Sequence, residues 1–173
     1  MWCVAELDED YIAKMEDVLA LYEKPYRSTE PVLCLDEKPV SLHADVRIQD
    51  LVAAYPFARH IHVVMGNLNI HCRKSLTNHL GAKQGRYLWS RLKVHYTPKH
   101  GSWLNQAEIE LSLVSRQCLG TRRIPKLQVL QSEIHAWNTR ANHQKTRIQW
   151  KFARKAARAK FGYERNTSKR SQI

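Results

Sequence analysis

The sequence predicts an α/β domain in which a mixed sheet is flanked by helices. Short β-branched apolar runs alternate with segments of helical periodicity, and two longer amphipathic stretches close the chain. At 173 residues and 43% hydrophobic composition the chain has enough apolar material for one ordinary core.

The elements follow in order. Residues 8 to 22 place Tyr11, Met15, Val18 and Tyr22 at helical spacing, with Asp8 as N-cap and further acids in the first turn. After Pro25 and Pro31 comes Val32-Leu33-Cys34-Leu35-Asp36, a buried strand with a carboxylate at its carboxyl end. Residues 48 to 57 read as a helix, and Ile61-His62-Val63-Val64-Met65 as a second strand that stops at Gly66-Asn67. A helix over 71 to 80, a third strand over 88 to 95 and the turn from Thr97 to Ser102 come next. From Trp103 to Leu119, the positions Leu104, Ala107, Leu111, Val114 and Cys118 share one helical face, and Leu127, Leu130, Ile134, Trp137 and Ala141 mark another. Both faces are expected to pack inward. The last helix, Trp150 to Phe161, is basic through Lys151, Arg154, Lys155 and Arg158. The reading divides into a domain over 1 to 162 and a basic disordered tail over 163 to 173.

The formal charge of +12 favours a polyanionic partner, because cations that neutralise phosphates release counterions. Residues 140 to 173 hold eleven Lys/Arg and one acid, so the rest of the domain is nearly neutral. Nucleic acid is the partner that fits. The four cysteines are scattered, with no Cys-x-x-Cys pair and no secretory h-region, which points to a reducing, cytoplasmic setting. No apolar run approaches the roughly 18 residues of a membrane span. No Walker-type loop or G-x-G-x-x-G run offers a nucleotide cradle, and the histidines lack compact zinc-ligand spacing, so no small-molecule cofactor and no zinc are expected.

Carboxylates at strand ends and on a facing helix suit hard, oxygen-liganded Mg²⁺ and phosphoryl transfer. Strand side chains alternate faces, so only one of Asp36 and Glu37 can point into a site. Glu108 and Glu110 flank their apolar stripe at similar angular offsets. Pattern alone separates neither pair.

Three blocks carry a resemblance: Val32 to Pro39, His62 to His71, and His95-Tyr96-Thr97-Pro98-Lys99-His100-Gly101-Ser102-Trp103-Leu104-Asn105-Gln106-Ala107-Glu108-Ile109-Glu110. In this order they resemble the signature blocks of bacterial insertion-sequence transposases of the mariner-like superfamily, and the similarity runs on through Ala136-Trp137-Asn138 and Ile148 to Phe152. The resemblance implies a ribonuclease-H-like fold and a DDE catalytic domain, in which three acids bind Mg²⁺ (or Mn²⁺) for DNA cleavage and strand transfer at element ends. It makes Asp36 the first ligand and Glu108 the third, with Glu110 outside the site. Asn67 and His71 would line the site, and Lys99 and His100 would lie near substrate phosphate.

Two departures qualify that expectation. Gly66 stands where the second aspartate belongs, so metal binding and strand cleavage are expected to be impaired. Only 29 residues separate Asp36 from Gly66, too few for the two central antiparallel strands and a helix. A sheet lacking them is expected to be marginally stable. No helix-turn-helix precedes the first block, so end-specific recognition is not expected. The expected partners are DNA and a second protomer, either this chain or an intact transposase, in a nucleoid-associated setting. An alternative role is a catalytically dead DNA-binding repressor of an intact transposase.

Overall fold

The computed structural model describes residues 7–36, 44–66 and 73–164. Helix α1 (Glu9–Tyr22) starts where the sequence places it, with Asp8 Oδ1 accepting the Tyr11 N–H at 2.6 Å. Strand β1 (Val32–Leu35), helix α2 (Ala44–Ala54) and strand β2 (Ile61–Met65) follow, then helices α3 (Arg73–Leu80) and α4 (Ala82–Ser90) and strand β3 (Leu92–Tyr96). A 3-10 turn (Ser102–Leu104) leads into α5 (Gln106–Leu113), which widens into a π-helical segment (Val114–Leu119). Helices α6 (Leu127–His143) and α7 (Arg154–Phe161) complete the described chain.

The three strands are parallel in the order β1-β2-β3, with Val32 opposite His62 and Ile61 opposite Leu92. The expected mixed sheet is wholly parallel among the described residues, where no antiparallel strand pairs with β1. All five residues of β2 are buried, as a parallel strand with both faces covered requires. On one face Leu33, Ile61, Val63, Met65 and Val94 pack under Ile48 and Val52 of α2, Leu76 of α3 and Leu88 of α4. On the other, Cys34 and Val64 meet Met15, Val18 and Leu19 of α1, Leu104, and Ala157 of α7. Each fully buried aliphatic side chain of these clusters stabilises the fold by about 1.5–3 kcal/mol. The result is a ribonuclease-H-like α/β arrangement with a reduced sheet.

Several boundaries differ from the sequence expectation. Residues 88–90, expected in the third strand, end α4 instead, because an apolar run as short as Tyr87-Leu88-Trp89 suits either state. Gly81, at φ 81°, separates α3 from α4, and Gly85 lets the two helices approach closely. The basic helix begins at Arg154, not Trp150, because one local and one tertiary bond hold the segment before it out of the helix: Trp150 Nε1 donates to Phe152 O at 2.7 Å and Glu23 caps the Arg154 N–H at 2.7 Å. Of the expected inward stripe of α6, Trp137 alone is fully buried, and Leu127 is 62% exposed. Tyr163, placed in the tail by the sequence, bonds through its hydroxyl to Glu16 at 2.9 Å, while residues 165–173 lie outside the described residues.

Gly85 allows a sharp test. A Cβ there would sit 2.7 Å from the Thr77 Cα, so Gly85→Ala is expected to destabilise by about 1–3 kcal/mol although alanine is the better helix former. Gly66, around which a Cβ would meet nothing within 4 Å, is expected to tolerate alanine within about 0.5 kcal/mol. Urea denaturation of both variants measures the difference.

Candidate active site

The carboxyl ends of parallel strands converge on one edge of the sheet, where open α/β folds take ligands. Asp36 follows β1 directly and Gly66 follows β2, and the register Leu35 opposite Met65 brings these two positions side by side. The β2–β3 ladder extends one step further through Thr97 N–H to Met65 O at 3.0 Å. Beyond Thr97 the chain turns at Pro98, with the Gly101 N–H returning to Pro98 O at 2.9 Å. Lys99 and His100 are exposed on that turn, His100 at φ 62°, and Gly101 is required there because a Cβ would sit 2.5 Å from the Pro98 ring.

Asn105 places the fourth position. It is 2% exposed, and its Nδ2 donates to Leu35 O at 2.6 Å while its Oδ1 accepts the Ala107 N–H at 3.2 Å. One amide thus ties the last carbonyl of β1 to the first turn of α5, the turn that carries Glu108. Asp36 and Glu108 are both half-buried at this end of the sheet. Glu108 faces a groove with Ser112, Ser115 and Arg116, whereas the exposed Glu110 lines a different groove beside Trp137 and Asn138. The two glutamates thus line different grooves, and Asp36 lines neither.

Asp36 and Gly66 lie side by side at this end, the turn carrying Lys99 and His100 follows β3 there, and Asn105 ties the first turn of α5, which carries Glu108, to the end of β1. Asn67 and His71 lie outside the described residues. On the basic segment, Lys151 and Lys155 are exposed, but Arg154 and Arg158 are engaged internally. Arg154 pairs with Glu23 at 2.6 Å and Arg158 with Glu16 at 2.6 Å, clamping α7 onto α1. Burial raises the Glu16 carboxyl, but hydrogen bonds from Arg158 and Tyr163 and the charges of Arg158 and Arg154 outweigh it and hold it below its usual value. Among the described residues no cluster of three or more His, Cys, Asp or Glu could hold a metal ion.

A further polar cluster is absent from the sequence reading. His62 and His95, on neighbouring strands, stack with ring centroids 5.1 Å apart, and His62 Nδ1 meets His95 Nε2 at 2.8 Å. His95 Nδ1 in turn reaches Asp17 Oδ2 on α1 at 2.6 Å. The signal was weak: His62 is the one polar residue of β2, but His95 shares β3 with Lys93, and the two histidines are 33 residues apart. Burial, then the neighbouring His95 ring and Lys93 and Lys24, push His62 below its ordinary value of 6.5, with Glu30 opposing.

Two outcomes follow. Asn105→Ala removes a helix cap and leaves the part-buried Leu35 carbonyl without its side-chain donor, and is expected to cost about 1–3 kcal/mol in urea denaturation. The unfolded chain binds a proton at His62 near pH 6.5 and the folded chain only at lower pH, so stability is expected to fall as pH drops through that window. His62→Gln should flatten that part of a stability-against-pH curve.

With this geometry in place, the family described as DDE superfamily endonuclease matches residues 36–131, from Asp36 through Gly66 and Glu108 into α6. No curated protein and no solved structure matches the chain. The match covers more than half of its length, and the chain belongs to the DDE superfamily endonuclease family.

Proposed function

We propose that this chain is the catalytic domain of a mariner-like insertion-sequence transposase, an internally shortened copy that binds DNA and does not cleave it. The observation that carries this reading is Gly66 at the carboxyl end of β2, beside Asp36. Two-ion phosphoryl transfer calls for a carboxylate at each of three positions, so that both the attacking and the leaving oxygen are stabilised. Asp36 and Glu108 supply two, and glycine has no donor atom. The residues present do not fit a pair of Mg²⁺ or Mn²⁺ ions.

DNA binding rests on cations that do not depend on the metal. Lys99 and His100 project from the turn after β3, and Lys151 and Lys155 are exposed ahead of and on α7. Contacts of this kind hold phosphates without reading sequence. The same residues support the alternative role, a repressor that occupies DNA or pairs with an intact transposase, and the exposed Leu127 and Val129 of α6 offer an apolar surface for such a partner.

The test uses duplex DNA with Mg²⁺ or Mn²⁺. The parent chain is expected to bind at low salt, with log affinity falling by about 0.9 per neutralised phosphate per decade of salt, and to leave the DNA unnicked. Gly66→Asp meets no steric obstacle and is expected to tighten Mn²⁺ binding at least about tenfold in calorimetry, with nicking appearing only when a central segment is also restored. Nicking by the parent that Asp36→Asn abolishes would overturn the inactivity, and absence of binding at low salt would overturn the DNA reading.

A further inference from the structure

A cleft of about 510 Å³ lies against β1 on the α1 side of the sheet and reaches Gln106 at the start of α5. Along β1 its lining runs from Val32, four residues and roughly 13 Å from Asp36, to Cys34, two residues from it. Three kinds of group meet there. Tyr26, 80% exposed, and Trp150 provide aromatic surface. The indole is fixed by its bond to Phe152 O at 2.7 Å and by Tyr22, whose ring meets it edge-on at 5.1 Å. Lys24 and Arg27 provide positive charge, and Glu30 offsets it weakly, since its closest approach to Arg27 is 3.9 Å and both arginine and lysine remain exposed.

The third kind of group is the imidazole at the floor. With both rings neutral, the donor order is forced. Asp17 accepts from His95 Nδ1, His95 Nε2 accepts from His62 Nδ1, and the nitrogen His62 has left for the cleft is Nε2, carrying a lone pair. Burial of the ring favours its neutral form. Gln106, at the start of α5, adds an amide to the lining.

We propose that this cleft is a nucleotide-binding site, in which the base stacks on Tyr26 and Trp150, the phosphate lies against Lys24 and Arg27, and His62 Nε2 with Gln106 bonds the base edge or a sugar hydroxyl. Stacking on aromatic side chains beside a cationic rim is how proteins hold unpaired nucleotides. The Asp17–His95–His62 chain keeps the imidazole in one orientation and one tautomer, as a positioned hydrogen-bond acceptor requires. The same chemistry would take a free deoxynucleotide or one residue of a single DNA strand. The proposal does not depend on the carboxylates or on cleavage.

The full chain is titrated with dAMP, with deoxyadenosine and with a short oligodeoxyadenylate, following the His62 ring resonance by NMR and tryptophan fluorescence. dAMP or the strand is expected to shift His62 saturably, and deoxyadenosine, lacking phosphate, to bind at least about tenfold more weakly than dAMP. Binding of dAMP alone identifies a free nucleotide as the occupant, and tighter binding of the strand identifies DNA. Tyr26→Ala, at an exposed position that carries no fold, is expected to weaken binding about fivefold to a hundredfold. Lys24→Ala with Arg27→Ala is expected to weaken it about tenfold. No saturable His62 shift with either phosphate ligand at millimolar concentration, or variants that titrate like the parent, overturns the proposal. DNA binding that leaves His62 unmoved overturns it while leaving the proposed function intact.

Discussion

Asn105 joins two elements that share no strand ladder. Its buried amide bonds the final carbonyl of β1 and caps α5, and so relates the helix to the strand end. The neighbouring segments are placed through backbone pairing. Parallel pairing sets Gly66 beside Asp36, and the extension of β3 to Thr97 sets the turn that displays Lys99 and His100. Tyr22 Oη, donating to Leu104 O at 2.8 Å, and the buried Leu104 side chain fasten the segment that leads into α5.

The strength of this arrangement lies in β2. Its five buried residues are covered by helices α2 to α4 on one side and by α1 and α7 on the other, so a three-stranded sheet acquires two apolar clusters. Such a sheet has two edges and little width. The edge of β1 is partly covered where α5 is tied to it, and Val32 near its start stays 37% exposed. Edges of this sort invite further strands.

What the sequence shows of this fold is governed by range. Period-2 and period-3.6 patterns, Asp8 as a cap and the runs ending at Asp36 and Met65 are local, and the elements appear there within a few residues. The end of α4 was misplaced because Tyr87-Leu88-Trp89 carries no period of its own. Glu16 with Arg158, 142 residues apart, and Asp17 with His95, 78 apart, leave no local trace, since each charge looks like ordinary surface in its own helix or strand. Asn105 stood inside the most specific block, yet its role needed the position of Leu35 O. The acids Asp36 and Glu108 were identified by the resemblance, and periodicity could not choose them over Glu37 and Glu110.

The clamp between α7 and α1 bears on how much of the formal charge a polyanion can use. Arg154 and Arg158 already satisfy Glu23 and Glu16 in two-point pairs, so a phosphate that approaches either guanidinium competes with a carboxylate held in place by the fold. Any contact won there is net of a pair broken, and the helix loses a fastening as the nucleic acid gains one. The chain's effective valence toward a phosphate backbone is therefore smaller than its composition implies, and occupancy at α7 is thermodynamically linked to the release of that helix.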